Sequence, residues 1–298
     1  MDVKAFLKQR RPNLSEGSLK TYNSVIRSIH RDVYGTDVIN DLTGFDNTDK
    51  ILTSLEDKSP SKRKTYLSAL VVLTGNEEYR NQMNEDVDAY NKEIEKQEMT
   101  PTQKENWVEN DDIKTTYDKL EKRAKTLYKK PALTNNDLQE IQNFIILALL
   151  GGILIAPRRA LDYCNFRLSG VDETKDNYYD ATANKFVFNS YKTAKSYGRQ
   201  ELSVPIKLKN IIKKWKTINP TDYLLFDTNM NPLTAVKLNQ RMNKIFDNKK
   251  ISVNAMRHTY LTSQFKGARR EGKKLEKVME QMGSSINMAD NYIKNDAP

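Results

Sequence analysis

The sequence predicts a mainly α-helical protein of two domains, with a small antiparallel β-sheet or hairpin in the second. Three observations support this fold class. Apolar residues recur at helical spacing through most of the 298 residues, strict alternation is confined to residues 178–204, and 38% of the residues are apolar. The longest apolar run, 144–156, contains two glycines and is shorter than the ~18 residues of a membrane span.

The N-terminal part has the pattern of a helical domain. Ser15 is suited to cap a helix that ends near Gly35, a second helix is predicted from Thr48 to Leu55, and a third after Pro60. The third begins with three cations that oppose the helix dipole, so a bound anion would stabilise it. The three cations are Lys62, Arg63 and Lys64. Taken alone, such a cluster is more often an ordinary solvated one.

Residues 76–130 are rich in Glu, Asn, Lys and Gln and poor in large aliphatic residues. This composition predicts exposed helix or linker outside any core. The best candidate for a break is Met99-Thr100-Pro101. We therefore predict a helical domain over 1–100, a linker or helical extension over 101–131 and a second domain over 132–298.

The second domain is predicted to begin with a capped, buried helix. Thr134 and Asp137 form a pattern typical of a capping box, and Pro157 suits the first turn of another helix that extends to Phe166. Alternation over 186–204 predicts a hairpin, joined by a strand near Tyr178. Further helices are predicted at 208–215, 234–246, 253–265, 273–282 and 286–293.

The charge distribution predicts a polyanionic partner for the second domain. Residues 131–298 contain 26 basic and 16 acidic side chains and so hold the whole net charge of +10, whereas residues 76–121 contain 6 basic and 14 acidic ones. A single cysteine excludes an internal disulfide, and with two histidines it disfavours a structural zinc site. The N-terminus lacks the apolar core of a signal peptide, so we expect an intracellular protein.

Four segments, in this order, resemble motifs of the tyrosine recombinase (integrase) family. They are Ala156–Tyr163 with Arg159 and Asp162, Ser190–Thr193 with Lys192, Asn254–Tyr260 with Arg257, and Asp290–Ile293 with Tyr292. Each motif alone is commonplace, but their order and their predicted places on helix, hairpin and final helix favour the resemblance. It covers most of residues 131–293, with a looser likeness of the N-terminal helices to the family's core-binding domain.

The resemblance implies a catalytic set with distinct chemical roles. Two guanidiniums, Arg159 and Arg257, would bind the phosphate oxygens, Lys192 would protonate the leaving 5′ oxygen, and Tyr292 would be the nucleophile. A lysine can deliver a proton when neighbouring cations lower its pKa. No metal or other cofactor is implied.

Other positions in the implied pocket depart from the family pattern. Asn254 stands where the family usually has a histidine; its amide can hydrogen-bond phosphate but cannot act as acid or base. Ser284 is expected where the family often has another histidine, before the final helix, and could donate a hydrogen bond to phosphate. His258 is expected to be structural. Asp162 is either a carboxylate that orients an arginine or an exposed helix charge.

The resemblance implies that the partner is double-stranded DNA and that no membrane is involved. The protein is expected to be a monomer or dimer when free and a tetramer on DNA. The predicted DNA contacts are Lys62, Arg63 and Lys64 in the first domain and Lys195, Arg199, Lys213 and Lys214 in the second. The richness in Asn, Lys, Ile and Tyr is typical of A/T-rich genomes, including those of some viruses and mobile elements.

Three alternatives stay open at this point. A type IB topoisomerase would share the phosphotyrosine chemistry but act as a monomer. Asn254 and Ser284 favour an inactive DNA-binding descendant of a recombinase. The many carboxylates of 76–121 would allow a metal-dependent nuclease, although they lack the apolar surroundings of an active site.

Overall fold

The computed structural model describes residues 1–247 and 249–282, and it confirms the predicted mainly helical fold with a small three-stranded antiparallel sheet. The chain divides into two compact units, Met1–Met99 and the part from Thr100 onwards. The predicted helix at 286–293, which contains Tyr292, lies outside the described residues, and so does Ser284. Within them, none of the helices combines the length and apolarity needed to cross a membrane.

The first unit is a helical bundle whose ends follow the predicted caps. The Oγ of Ser15 accepts from the amide of Ser18 at 3.1 Å, and Gly35 ends the same helix with a φ of 76°. Tyr79 is buried and donates to the carbonyl of Phe45 at 2.7 Å. The helices are α1 (Val3–Arg10), α2 (Glu16–Tyr34), α3 (Thr48–Thr53), α4 (Pro60–Thr74) and α5 (Glu77–Glu95).

The second unit is built around one almost wholly buried helix. The Oγ1 of Thr134 accepts from the amide of Asp137 at 3.2 Å, and the Asp137 carboxylate accepts from the amide of Thr134 at 3.0 Å, so the predicted capping box is present. The helices are α6 (Pro101–Glu105), α7 (Asn110–Leu127), α8 (Asn135–Leu150), α9 (Ala160–Tyr163), α10 (Ala194–Tyr197), α11 (Ile206–Lys216), α12 (Ala235–Ile245) and α13 (Val253–Gln281).

The expectation that residues 76–130 lie outside any core is wrong. α5 buries Tyr79, and α7 buries Ile113, Tyr117, Ala124 and Leu127 against α8. The four α7 residues are spaced at intervals of three or four, or their sum, which puts them on one helix face. A narrow apolar face is enough for packing, and the charged residues of the other faces hide it in the average composition.

The sheet forms where alternation predicts it. Its strands β1 (Tyr178–Asp180), β2 (Lys185–Phe188) and β3 (Gln200–Ser203) lie in that order, and Phe186 pairs with Tyr179 on one side and Leu202 on the other. The Tyr163 ring lies edge-on to Phe188 at 5.9 Å between centroids, which packs α9 on the sheet.

Two helices differ from prediction. α9 begins at Ala160, so Pro157 lies outside it, because Arg159 is extended; it ends at Tyr163 and not near Phe166, because Cys164 is extended and Asn165 takes a left-handed φ of 59°. α13 is continuous where two helices were predicted at 253–265 and 273–282. Gly267 and Gly272 lie inside it without positive φ; glycine weakens a helix by about 1 kcal/mol but keeps its N–H donor.

Candidate functional site

Arg159 lies at the start of the single-turn helix α9. It is the N-cap residue, with φ −69° and ψ 152°, and its side chain is partly exposed. The neighbouring arginine has different surroundings. Arg158 donates from Nε to Oδ2 of Asp162 at 2.8 Å and from Nη1 to Oε1 of Gln200 at 2.9 Å.

Asp162 is therefore a buried partner of Arg158. Its exposure is 1%, so the alternative of an exposed helix charge is wrong. One of its oxygens, Oδ1, has no hydrogen-bond partner among the described residues. The Arg158 guanidinium also stacks 3.9 Å from the Phe188 ring centroid, and it thereby links α9 to both β2 and β3.

Lys192 lies in the loop between β2 and β3 and is exposed. The hydroxyl of Tyr191 donates to the carbonyl of Gly198 at 2.6 Å, which closes this loop on itself. The Arg158 guanidinium lies 5.2 Å from the centroid of the Tyr191 ring. The loop that carries Lys192 thus contacts the residue that precedes Arg159.

Asn177 makes a second link between the same two segments. Its Nδ2 donates to the carbonyl of Asp162 at 2.9 Å and to that of Ser190 at 2.7 Å. Its Oδ1 accepts from the amides of Asn189 at 2.9 Å and Ser190 at 2.8 Å. Because Ser190 is two residues before Lys192, the helix turn of Arg159 and the start of the Lys192 loop are joined at a buried point.

Arg257 lies in the second turn of α13 and is partly exposed. Its Nη1 donates to Oδ1 of Asn254 at 3.3 Å, and Nδ2 of Asn254 lies 3.2 Å from Nε2 of His258. His258 is exposed and interacts with Asn254. In the described part of the chain, no hydrogen bond joins the Arg257 side chain to the segment of Arg159 or to the loop of Lys192.

Asn254 and His258 face a cavity of about 210 Å³ that Trp107 also lines and Arg257 does not. Asn254 therefore lies between this cavity and Arg257, because its side chain lines the one and accepts a hydrogen bond from the other. The helix itself is held to its unit by Thr259, whose Oγ1 donates to the carbonyl of Val108 at 3.1 Å.

α13 also contacts the segment that leads into Arg159. Gly152 follows α8 with a φ of +72°, and a Cβ there would lie 2.6 Å from Cδ2 of Tyr260. Tyr260 is three residues beyond Arg257 on the same helix. This close approach connects the helix of Arg257 to the segment between α8 and Arg159.

Cys164 follows α9 directly. Its Sγ donates to the carbonyl of Ala160 at 3.3 Å, and burial raises the pKa of its thiol to about 11. The thiol is therefore neutral at neutral pH and unsuited to act as a nucleophile.

The predicted DNA contacts of the first unit differ in their surroundings. Lys62 is exposed, whereas Arg63 makes a bidentate ion pair with the buried carboxylate of Asp86 and Lys64 lies 3.1 Å from the ring centroid of Tyr90. The carboxylate of Asp86 thus takes the place of the bound anion that was expected at the cationic start of this helix. Nothing in the sequence pattern identified Asp86, because it belongs to the stretch expected to be exposed.

The predicted contacts of the second unit also divide. Lys195 and Lys213 are exposed. Arg199 forms an ion pair with Glu201 at 3.0 Å, and Nζ of Lys214 lies 4.3 Å from the ring centroid of Tyr128. Lys195 and Lys213 are thus the freer cations to approach a phosphate, and the other two already have partners.

Sequence reasoning missed Arg158, Asn177 and Gln200. The adjacent arginines at 158 and 159 were a signal for the first, since only one of them matches the motif. No local pattern marks Asn177 or Gln200, because their partners are 12 to 42 residues away.

No protein-family model and no curated protein matches this chain. Among solved structures, it is similar to the one described as "Crystal structure of XerA recombinase", with a TM-score of 0.34, 12% sequence identity, and coverage of 88% of this chain and 84% of that chain. At so low a score and identity, the function must be argued from the residues of the chain itself.

Proposed function

We propose that this protein is a metal-independent DNA strand transferase of the tyrosine recombinase type. The observation that carries the proposal is the pair of links, through Arg158 and Asn177, between the turn of Arg159 and the loop of Lys192. Two cations chosen by motif, 33 positions apart in the chain, belong to segments in direct contact. A coincidental motif gives no reason for that contact.

The chemistry needs no energy source because one ester replaces another. The phenol oxygen of Tyr292 forms a bond to phosphorus and loses its proton to solvent, while the bond from phosphorus to the 5′ oxygen breaks. Lys192 gives its proton to that oxygen, which leaves as a 5′ hydroxyl. Arg159 and Arg257 neutralise the charge on the non-bridging oxygens. Attack by a 5′ hydroxyl of a second strand reverses these steps and completes exchange.

Asn254 and Ser284 are proposed to hydrogen-bond phosphate or to support the pocket, and His258 to interact with Asn254. Asp162 is proposed to act through Arg158. The proposed DNA contacts of the first unit are Lys62, Arg63 and Lys64, and those of the second unit are Lys195, Arg199, Lys213 and Lys214. We further propose that four copies assemble on two DNA sites, since exchange needs two duplexes.

A nicked suicide substrate tests the proposal. The short strand released on cleavage diffuses away, so a covalent protein–DNA adduct accumulates. We expect an adduct with the unaltered protein, none with Tyr292→Phe, and slow formation with Lys192→Ala and Arg159→Ala. Lys175→Ala, which removes an exposed lysine outside the proposed pocket and the proposed DNA contacts, is the matched control for Lys192→Ala.

Two outcomes would overturn it. Absence of any adduct would leave an inactive DNA-binding protein, for which Asn254 is the supporting observation. An adduct that persists in Tyr292→Phe would remove the assigned nucleophile. A two-site recombination assay beside plasmid relaxation then separates strand exchange from topoisomerase activity: relaxation without joint molecules would favour the latter.

A further inference from the structure

We propose that Asn177 is a positioning residue, which sets the place of Lys192 relative to Arg159 in the proposed active site. The inference rests on the proposed function and deepens it. No motif contains Asn177, and it lies 15 and 18 positions from Lys192 and Arg159 in the chain.

All the hydrogen-bonding capacity of the Asn177 amide is used on these two segments. Its two donor contacts go to the carbonyls of Asp162 and Ser190, and its oxygen accepts from the amides of Asn189 and Ser190. Asn177 is only 5% exposed, so water does not readily replace these bonds. The amide therefore fixes both backbones to one point.

The geometry beyond Asn177 transmits this constraint to Lys192. Only Tyr191 separates Ser190 from Lys192, and the Tyr191 hydroxyl closes the loop on Gly198. Arg158 holds the other side by its contacts with Tyr191 and with Gln200 at the start of β3. Loss of Asn177 would leave the contacts of Arg158 and the packing of the Tyr163 ring on Phe188, neither of which bonds to the backbone of residues 189–190.

The test uses the leaving group to separate positioning of an acid from general damage. An alkyl thiol has a pKa of ~8.5, whereas that of an alcohol is near the ~15.7 of water, so a 5′-thiolate leaves without a proton. We expect Asn177→Ala to slow cleavage of an ordinary suicide substrate by about 10- to 100-fold. With a 5′-bridging phosphorothiolate, its rate should return to within about threefold of the unaltered protein.

Reference variants define what each result means. Lys192→Ala should behave like Asn177→Ala, while Arg159→Ala should be slow on both substrates because it stabilises phosphate charge. Asn219→Ala removes a comparable amide, which accepts from the Thr221 amide at 2.8 Å and donates to the Tyr223 carbonyl at 2.7 Å, and it should cleave both substrates normally. The affinity for DNA should not change in Asn177→Ala.

Equal slowing of Asn177→Ala on both substrates, or normal cleavage of the ordinary one, would overturn the inference. If Asn177→Ala does not fold, Asn177→Asp serves in its place, since it keeps the two acceptor contacts and loses the two donor contacts. Failure of the unaltered protein on both substrates would instead reject the proposed function.

A readout without DNA tests the positioning by itself. Trypsin cuts after exposed lysines, and Lys192 and Lys195 lie in the loop that Asn177 constrains. Asn177→Ala should be cut there about tenfold faster than the unaltered protein or Asn219→Ala, because local opening exposes the chain. An unchanged rate of cutting would overturn the claim that Asn177 holds this loop, whatever the protein's activity.

Discussion

Two adjacent arginines have separate roles at the scale of the residue. Arg158 is 16% exposed in its side chain and pairs with Asp162, which is 1% exposed. Arg159, at the cap of the same turn, is partly exposed and is the one that the motif selects. The motif identified the solvent-facing arginine, and the packing of the other one could not be inferred without knowledge of the sheet.

We therefore expect opposite effects from the two alanine variants. Arg158→Ala leaves the Asp162 carboxylate buried without a cation and should lower the free energy of unfolding by about 3 kcal/mol. Arg159→Ala should change the free energy of unfolding by less than about 0.5 kcal/mol while it slows cleavage. Chemical denaturation followed by circular dichroism measures the first quantity. A stable Arg158→Ala protein would show that the observed ion pair contributes little.

The candidate site could be predicted from sequence only in part, and the reason is physical. Arg159, Lys192 and Arg257 have short motifs around them. Asn177 acts through partners brought close by the pairing of β1 and β2, and Gln200 stands in β3, which pairs with β2, so no local spacing reveals either residue. Their discovery required the three-dimensional structure.

At the scale of the element, the capping box of α8 contributes a pH-dependent part of the stability of the folded state. Hydrogen bonds from Lys130, and then from the amide and hydroxyl of Thr134, lower the pKa of Asp137 from 3.8 to about 2. A carboxyl whose pKa is lower in the folded than in the unfolded protein stabilises the folded state fully above the unfolded-state pKa. This stabilisation is lost as the pH falls through the folded-state pKa. The stabilisation should thus disappear between about pH 4 and pH 2.

Thermal melting of the unaltered protein and of Asp137→Asn checks this expectation. The unaltered protein should melt at a higher temperature at pH 5, and the difference between the two should shrink toward zero as the pH approaches 2. A difference that stays constant over this range would mean that the charge of Asp137 does not stabilise the helix start.

The contact between Gly152 and Tyr260 links the end of α8 to α13. Gly152→Ala should lower the free energy of unfolding by more than the ~1–2 kcal/mol of a left-handed alanine, because its Cβ would lie 2.6 Å from the Tyr260 ring. In a Tyr260→Ala background, only the backbone cost should remain. A double-mutant cycle by chemical denaturation measures this coupling, and additive effects would contradict the observed approach.

Helices were predicted well where their ends carry chemical signals and poorly where composition was the guide. Ser15, Gly35 and Thr134 marked real helix ends. The acidic stretch was misjudged because Ile113 and Tyr117 are too few to alter an average, although their spacing is helical. The continuity of α13 was missed because Gly267 and Gly272 resemble breakers, and glycine terminates a helix only when it takes a left-handed conformation.

The two units of the whole molecule carry unequal charge. Met1–Met99 contains 15 basic and 17 acidic side chains, a net charge of −2, whereas the chain from Thr100 contains 34 and 22, a net charge of +12. Each unit has its own cluster of buried apolar residues. Fragments 1–99 and 100–298 should therefore each unfold cooperatively, and the electrostatic part of DNA binding should belong to the second.

Binding of each fragment to a random duplex at several salt concentrations measures that division. A plot of log affinity against log salt has a negative slope, which becomes steeper by about 0.9 for every phosphate that a cation neutralises. Fragment 100–298 should retain most of the steepness found for the intact protein. Lys213→Ala should make the slope shallower by about 1, because Lys213 is exposed. Lys214→Ala should reduce it less, since its ammonium rests on the Tyr128 ring. An equal slope for fragment 1–99 would instead place the polyanion-binding surface on the first unit, despite its negative charge.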